Sequence, residues 1–392
     1  MLLLQRMSRF HSYLLTAKNI IDSYKGEQPF PFHLKQFFAG QKKYGSKDRK
    51  LIGACCYAWW RSSWLFGKKC TDNNLERAVF LCNALPAALM AGVGDFYHGK
   101  ENLSSLEKLQ LLDLDTQHIF PFTAALGNIN GDVFALSFLQ QPDLFIRLRP
   151  GKEKQVLQKL ENASISFNKE NNDCIALSNA TKLEDFISLN REAVVQDRNS
   201  QRVLDDVKKE LPAKNVTDAW DCCAASGGKS ILLYDRLQTR IKLTVSDIRP
   251  GILHNCKKRL QEAGINIHHA FVTDMSQPVK DELVEDFDII ICDAPCTGSG
   301  TWSRTPEQLA FFDASRIETF ATLQKSIAGN AAAHLRKGGL FVYITCSVFA
   351  GENEAVVTYL QNNPSLELIS NRYLEGAAHK ADTMFVALFR AV

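Results

Sequence analysis

From Val216 onward the chain alternates between short apolar runs and longer segments of helical periodicity, and this alternation restricts the fold more than any other feature. The runs are Val216–Asp221, Lys242–Asp247, Ile267–Val272, Phe287–Cys292 and Leu340–Cys346. Runs without an outward polar period read as strands buried on both faces, and parallel strands need a crossover, usually a helix, between them. The expected architecture is therefore α/β, with a mainly parallel sheet covered by helices on both faces. Two later runs, Leu366–Ile369 and Met384–Arg390, look like an antiparallel end and bring the sheet to seven strands.

At 392 residues the chain exceeds one typical core, so more than one domain is expected. Residues 1–138 read as all-α. Apolar positions recur at three and four, as in Phe10, Tyr13, Leu14 and in Leu51, Ile52, Cys55, Cys56, Trp59, with breaks at Gly26–Pro31, Gly67–Asn74 and Gly92–Gly99. Residues 139–200 read as a small α+β subdomain: strand Leu144–Leu148, helix Lys152–Leu160, strand Ile175–Leu177. The α/β domain takes 201–392.

A net charge of +3 hides an asymmetry, because residues 1–100 carry fifteen Lys/Arg against six Asp/Glu. The excess concentrates between Lys35 and Arg61, around Lys42, Lys43, Lys47, Arg49 and Lys50, as either a solvated helix face or a phosphate-contacting patch. Of the neighbouring aromatics (Tyr44, Tyr57, Trp59, Trp60, Trp64), most belong to a helical core at such clustered spacing. Arg147 and Arg149 read equally as phosphate contacts or as solvation of an edge strand. No stretch reaches the ~18–20 apolar residues of a membrane span, and the N-terminal apolar run is too short for a signal peptide. The eleven cysteines show no disulfide framework. Cys292 and Cys296 lack the second pair that would complete a zinc site, and His268-His269 lacks a metal-ligand partner, so no metal is expected. Free thiols in a reducing compartment, the cytoplasm, follow.

The chemistry sits where strands end, the edge at which open α/β sheets bind ligands. The first strand runs into Asp221-Cys222-Cys223-Ala224-Ala225-Ser226-Gly227-Gly228-Lys229-Ser230 and then a helix. This is neither a G-x-G-x-x-G fingerprint nor a P-loop, whose first glycine would fall at Cys223. Asp247, Asp274 and Asp293 follow three successive strands. Each alone could be a helix cap, but together they line a ligand. A carboxylate after the second strand suits ribose hydroxyls, and one after the third suits the exocyclic amine of adenine. An adenosine ligand without a phosphate grip suggests S-adenosylmethionine, held by Cys223 to Lys229, Asp247, Asp274 and Asp293. Two thiols, Cys296 in Asp293-Ala294-Pro295-Cys296-Thr297-Gly298-Ser299-Gly300 and Cys346 in Ile344-Thr345-Cys346-Ser347, reach the same edge from two strands.

The 221–230 loop, the 293–300 segment and Ile344 to Val357, in that order, resemble the RsmB/Sun family of RNA cytosine-5 methyltransferases. Val195-Gln196-Asp197-Arg198-Asn199-Ser200-Gln201 resembles the segment preceding that family's catalytic domain, and Met384–Arg390 its closing strand. The resemblance covers about 142–392. The helical first part, with Tyr44-Gly45-Ser46-Lys47-Asp48-Arg49, is similar to a NusB-like RNA-binding domain. The resemblance implies a Rossmann-like class I methyltransferase fold, S-adenosylmethionine as cofactor, and RNA, in particular rRNA, as the partner of a monomer. It also implies roles: Cys346 attacks, Cys296 assists release, Asp293 hydrogen-bonds or protonates N3, and Lys229 lies near base and nucleophile. The family's cofactor loop usually reads A-A-P-G-G-K-T, so Ser226 stands for Pro and Ser230 for Thr, which leaves a looser loop.

That reaction has a clear physical demand. C5 of cytosine is a poor nucleophile until a thiolate adds to C6, and a free thiol near pKa ~8.5 is only slightly ionised at neutral pH. Lys229 and the cofactor's sulfonium would favour the thiolate. Cys222 and Cys223 receive no chemistry; Cys55, Cys56, Cys70, Cys82, Cys174, Cys256 and Cys292 read as packing. The alternatives are an RNA-binding ribosome-assembly factor that no longer methylates, a tRNA cytosine-5 methyltransferase, and a DNA enzyme attacking with Cys296.

Overall fold

The computed structural model describes residues 2–90, 96–211, 216–237, 240–279 and 286–392, so part of the expected break at Gly92–Gly99 lies outside the described residues. Two compact units emerge. One comprises Met1–Ala124, Asn130–Gln141 and Thr301–Ala314; the other Ala125–Ile129, Pro142–Gly300 and Ser315–Val392.

The first unit is helical, with its longest helices at Leu2–Ser23, Phe30–Ala39, Ser46–Ser62 and Asp72–Leu81. Phe10, Phe30, Trp59 and Trp60 are buried in it, and the Phe30 and Trp60 rings meet edge to face at 5.7 Å. Arg61 is not part of any surface patch: it is buried and donates to the carbonyls of Phe138, Gln140 and Ser303. Lys42, Lys43, Lys47 and Lys50 are exposed on the turn before Ser46–Ser62 and its first turns.

The second unit holds two sheets. The smaller contains β1 (Leu144–Leu148), β2 (Phe167–Lys169), β3 (Cys174–Leu177) and β4 (Ala193–Val195), antiparallel in the order β2-β3-β1-β4. Because β1 is interior, Arg147 lines no edge, and Arg149 follows directly after the strand. Both are buried and ion-paired to Asp235, at 2.6 and 2.7 Å, which ties this sheet to the helix Gly228–Leu237. The buried pairing with one carboxylate overrides both surface readings.

The larger sheet contains β5 (Val216–Asp221), β6 (Arg240–Asp247), β7 (Ile267–Val272), β8 (Phe287–Asp293), β9 (Leu335–Thr345), β10 (Leu366–Leu374) and β11 (Met384–Ala391). Its order is β10-β11-β9-β8-β5-β6-β7. The five strands from β5 to β9 run parallel, and β11 and β10 add antiparallel at one edge. This is the expected Rossmann-like, seven-stranded arrangement. Alternation explains the apolar runs. In β8, Ile289 and Ile291 enter one core with Val245 and Ile344, while Ile290 and Cys292 enter the other with Trp220 and Phe341. Each fully buried Ile contributes roughly 1.5–3 kcal/mol. β9 starts earlier than its apolar run because Arg336 to Gly339 forms an irregular polar lead-in, with Gly338 at φ 78°.

Strand order reverses between β5 and β8, with β6 and β7 on one side and β9 on the other. The crevice beyond the carboxyl ends of β5 and β8 is the topological switch point at which such sheets bind ligands. Among the described residues, no helix is long and apolar enough to cross a membrane.

Candidate active site

The loop after β5 is bent by Ala225 at φ 44° and Gly227 at φ 79°. Positive φ strains a non-glycine residue, and strain of this kind clusters at ligand-binding loops. A Cβ on Gly227 would stand 2.9 Å from Cys256 Sγ, so the close approach of this loop to the helix Pro250–Glu262 requires glycine. From the same helix Arg259 donates to the Ser226 hydroxyl at 2.9 Å. Serine thus supplies an anchor that proline could not.

A cavity of about 410 Å³ opens at this edge. Cys223, Asp247, Asp274 and Asp293 line it, together with the apolar Ile248 and Ile327. Three expected acidic residues therefore meet at one ligand-sized space. Two larger cavities, about 700 Å³ each, border the Arg149–Asp235 cluster and share no lining residue with it.

Asp247 is more heavily committed than the sequence reading foresaw. Its oxygens accept from Ala225 N at 3.0 Å, Arg249 N at 2.9 Å, Arg249 Nε at 2.9 Å and Arg249 Nη2 at 3.1 Å. Four donors fill the acceptor capacity of a carboxylate. Burial works against the charge, but these bonds outweigh it and hold the Asp247 carboxyl below its usual range. Asp274 is exposed, and its Oδ1 also accepts from Ser276 N at 2.9 Å, so turn-capping and cavity-lining coexist.

Lys229, the second residue of the Gly228–Leu237 helix, donates to Asp293 Oδ2 at 2.5 Å. Burial lowers the ammonium's pKa, but the charge of Asp293, its hydrogen bond and the nearby Cys346 together raise it above the usual lysine range. Lys229 is thus a fixed cation beside the thiols rather than a base.

Cys296 and Cys346 approach to 3.3 Å between sulfurs, although they leave different strands. The hydrogen bond to Cys346, reinforced by burial, pushes the Cys296 thiol well up, so Cys296 holds its proton at neutral pH. Backbone bonds join the two loops: Ala294 N to Ile344 O at 3.0 Å and Gly300 N to Cys346 O at 2.8 Å. A Cβ on Gly300 would overlap the Thr383 carbonyl at 2.0 Å.

Sequence reasoning missed what lies beneath the sulfurs. Glu352, fully buried, accepts from Thr297 N at 2.8 Å, Thr297 Oγ1 at 2.6 Å, Ser347 Oγ at 2.6 Å and Gln324 Nε2 at 3.0 Å. Thr297 follows Cys296 and Ser347 follows Cys346, so one carboxylate fixes the residues after both thiols. Asn353 adds bonds to Thr345 Oγ1 and the Ser347 carbonyl, at 2.6 and 2.9 Å. The only signal was a Glu-Asn pair within the Ile344 to Val357 string. The segment Gln196 to Gln201 lies in the same unit, where Asn199 donates to the carbonyls of Leu374 and Asp382, at 2.9 and 2.8 Å.

Comparison with known proteins supports this reading. Residues 209–389 match the family described as 16S rRNA methyltransferase RsmB/F. Ribosomal RNA small subunit methyltransferase B of Vibrio vulnificus (strain YJ016) is 29% identical over 221 residues, 55% of this chain and 50% of its own length. The chain spans about half the length of the curated relatives it matches. The crystal structure of PH0851 is similar in fold over 97% of this chain and 98% of its own, with a TM-score of 0.69 and 17% identity. NSun6 from Pyrococcus horikoshii, solved with SFG, is similar over 68% of this chain and 96% of its own, with a TM-score of 0.58 and 16% identity. Both cysteine motifs lie inside the 209–389 span that is similar to the RsmB/F methyltransferases.

Proposed function

We propose that this chain methylates C5 of a cytosine in RNA, with S-adenosylmethionine as methyl donor and small-subunit ribosomal RNA as substrate. The observation that carries the reading is the 3.3 Å pair of Cys296 and Cys346 beside the Lys229–Asp293 ion pair. The cavity fits the cofactor: apolar Ile248 and Ile327 suit a purine, while Asp247 and Asp274 offer carboxylates to hydroxyls and an amine. Arg249 must release Asp247 to a ribose, and its side chain, 59% exposed, is free to swing. When bound, S-adenosylmethionine supplies a methyl group on a cationic sulfonium.

The chain's residues do the rest. Cys346, with the Lys229 ammonium nearby, adds as thiolate to C6. The ring's electrons move toward N3, where a hydrogen bond from the Lys229–Asp293 pair offsets the charge, and C5 becomes nucleophilic. While Cys346 is an anion, its hydrogen bond keeps Cys296 protonated. Once that sulfur is a thioether the charge is gone, and Cys296 can lose its proton to solvent and, as thiolate, remove the one on C5. The C6–sulfur bond then breaks and regenerates Cys346. Glu352 keeps the two sulfurs in register throughout, an example of positioning by a rigid shell.

The proposed organisation assigns 1–138 and 139–200 to holding RNA, and 201–392 to catalysis, in a cytoplasmic monomer. The exposed lysines near 42–50 support the first assignment, since phosphate contacts give affinity without specificity. The target cytosine must leave its stack, at a cost of a few kcal/mol if paired. Bisulfite sequencing of RNA from cells with and without the gene tests the proposal. One cytosine in small-subunit rRNA should lose protection; a change confined to tRNA, or none, would overturn it.

A further inference from the structure

Three thiols meet beside the same cavity, two of them lining it, and take no part in the reaction above. Cys222, Cys223 and Cys292 have their Sγ atoms within 4.8 Å of one another. The fold brings them there in two ways. Cys222 and Cys292 stand beside each other on neighbouring chain segments, joined by Cys222 N to Ile291 O at 3.0 Å. Both enter the core that contains Trp220 and Ile290. In a continuing strand Cys223 would point to the opposite face, but β5 ends at Asp221. The turn that follows packs Cys223 against that same core.

The exposure of the three differs in a telling way. Cys222 and Cys292 are fully buried, whereas Cys223 is half-buried and borders the cavity with Cys222. The result is an all-sulfur donor set with one side facing an open space. Zinc–sulfur bonds of about 2.3 Å in a tetrahedron place sulfurs ~3.8 Å apart, so closure on an ion asks for movements of about 1 Å or less. Thiolates without oxygen or imidazole partners select soft, thiophilic ions over magnesium, calcium or manganese.

We propose that Cys222, Cys223 and Cys292 form a three-thiolate site for a thiophilic d¹⁰ metal ion, zinc or copper(I), open toward the cavity. Each metal–sulfur bond replaces one S–H bond, so loading releases up to three protons to solvent and changes no oxidation state. Cys223 is the least buried member, so the ion enters and leaves through the cavity. A ligand seated there closes that route; this last point rests on the cofactor reading of the cavity.

Titration of the reduced, full-length, metal-free chain with cadmium, followed by the sulfur-to-cadmium charge-transfer band and by proton release, tests the proposal. The expected result is one ion per chain with the band intensity of three thiolates. Zinc and copper(I), both thiophilic, should each displace it, whereas magnesium should not. Cys223→Ser should lose at least tenfold in affinity with an unchanged circular dichroism spectrum. The Cys296→Ala/Cys346→Ala double variant should keep the band. A band that survives Cys223→Ser, or that vanishes in the double variant, overturns the site. S-adenosylhomocysteine should slow cadmium loading at least tenfold. If it does not bind at all, the cofactor reading fails, while the cadmium stoichiometry still decides the metal site.

Discussion

Glu352 grips Thr297 twice, through its backbone N–H at 2.8 Å and its hydroxyl at 2.6 Å, from the centre of a fully buried network. Because the same carboxylate holds Ser347, the spacing of Cys296 and Cys346 depends on a residue that touches neither sulfur. Glu352→Ala leaves several buried donors without a partner, each costing ~1–3 kcal/mol. Urea unfolding should show a loss of at least a few kcal/mol, and single-turnover methyl transfer should fall at least tenfold. Glu352→Gln can still accept, so it should recover part of both; equal loss in the two variants would indicate that the charge alone matters.

Lys229 bears on the thiol chemistry through its charge. Its pKa is raised above the ordinary lysine value, mainly by Asp293 against the pull of burial. The sign follows directly: the contribution to stability is full below the unfolded lysine value and is lost as pH rises through the folded one. Across neutral and mildly alkaline pH Lys229 therefore stays cationic. Lys229→Met should slow iodoacetamide reaction at Cys346 several-fold at neutral pH. An unchanged rate would mean that the ammonium does not act on that thiol.

Asp247 gives a second pH prediction, with the opposite sign. Its carboxyl is held below the usual range by Arg249 and Ala225 despite burial. Its contribution to stability is thus present above the ordinary carboxylate pKa and is lost only as pH falls through the lower folded value. Cofactor affinity, read by titration calorimetry, should be flat from neutral pH down to about pH 5. Arg249→Ala frees two acceptor positions and should bind the cofactor at least as tightly as the parent, whereas Asp247→Ala should weaken binding at least tenfold. Weaker binding by Arg249→Ala would make the arginine itself a ligand.

Asp235 neutralises two buried arginines, Arg147 and Arg149. Removing one partner of a buried ion cluster typically costs 3–5 kcal/mol, so Asp235→Ala should lower the unfolding free energy by roughly that amount. The Cys296–Cys346 pair lies elsewhere in the unit, so the folded fraction should keep its methyl-transfer rate per active molecule.

These arginines also mark where sequence reading runs out. A charged residue on a strand reads as solvent-facing or ligand-facing unless its partner is visible, and Asp235 lies 88 and 86 residues away. β2 and β4 were missed because three residues carry no measurable period. By contrast, β5, β6, β8 and β9 are largely buried on both faces and announce themselves as apolar runs, whereas β7, at the sheet edge, exposes His268, His269 and Val272. The paired thiols were legible because each follows such a run. Glu352, Arg249 and Arg259 were not, because their partners are set by loop geometry. The three-thiol cluster escaped for a similar reason: Cys222 and Cys292 are neighbours only across the switch between β5 and β8.

The order of the two sulfurs is the central claim. Its most direct test is to incubate the Cys296→Ala variant with small-subunit rRNA and S-adenosylmethionine, then look for RNA covalently attached to protein on a denaturing gel, and map the attachment by mass spectrometry. The account predicts an adduct through Cys346 that accumulates in Cys296→Ala and is absent from Cys346→Ala and from the double variant. An adduct through Cys296, or undiminished methylation by Cys346→Ala, would contradict it.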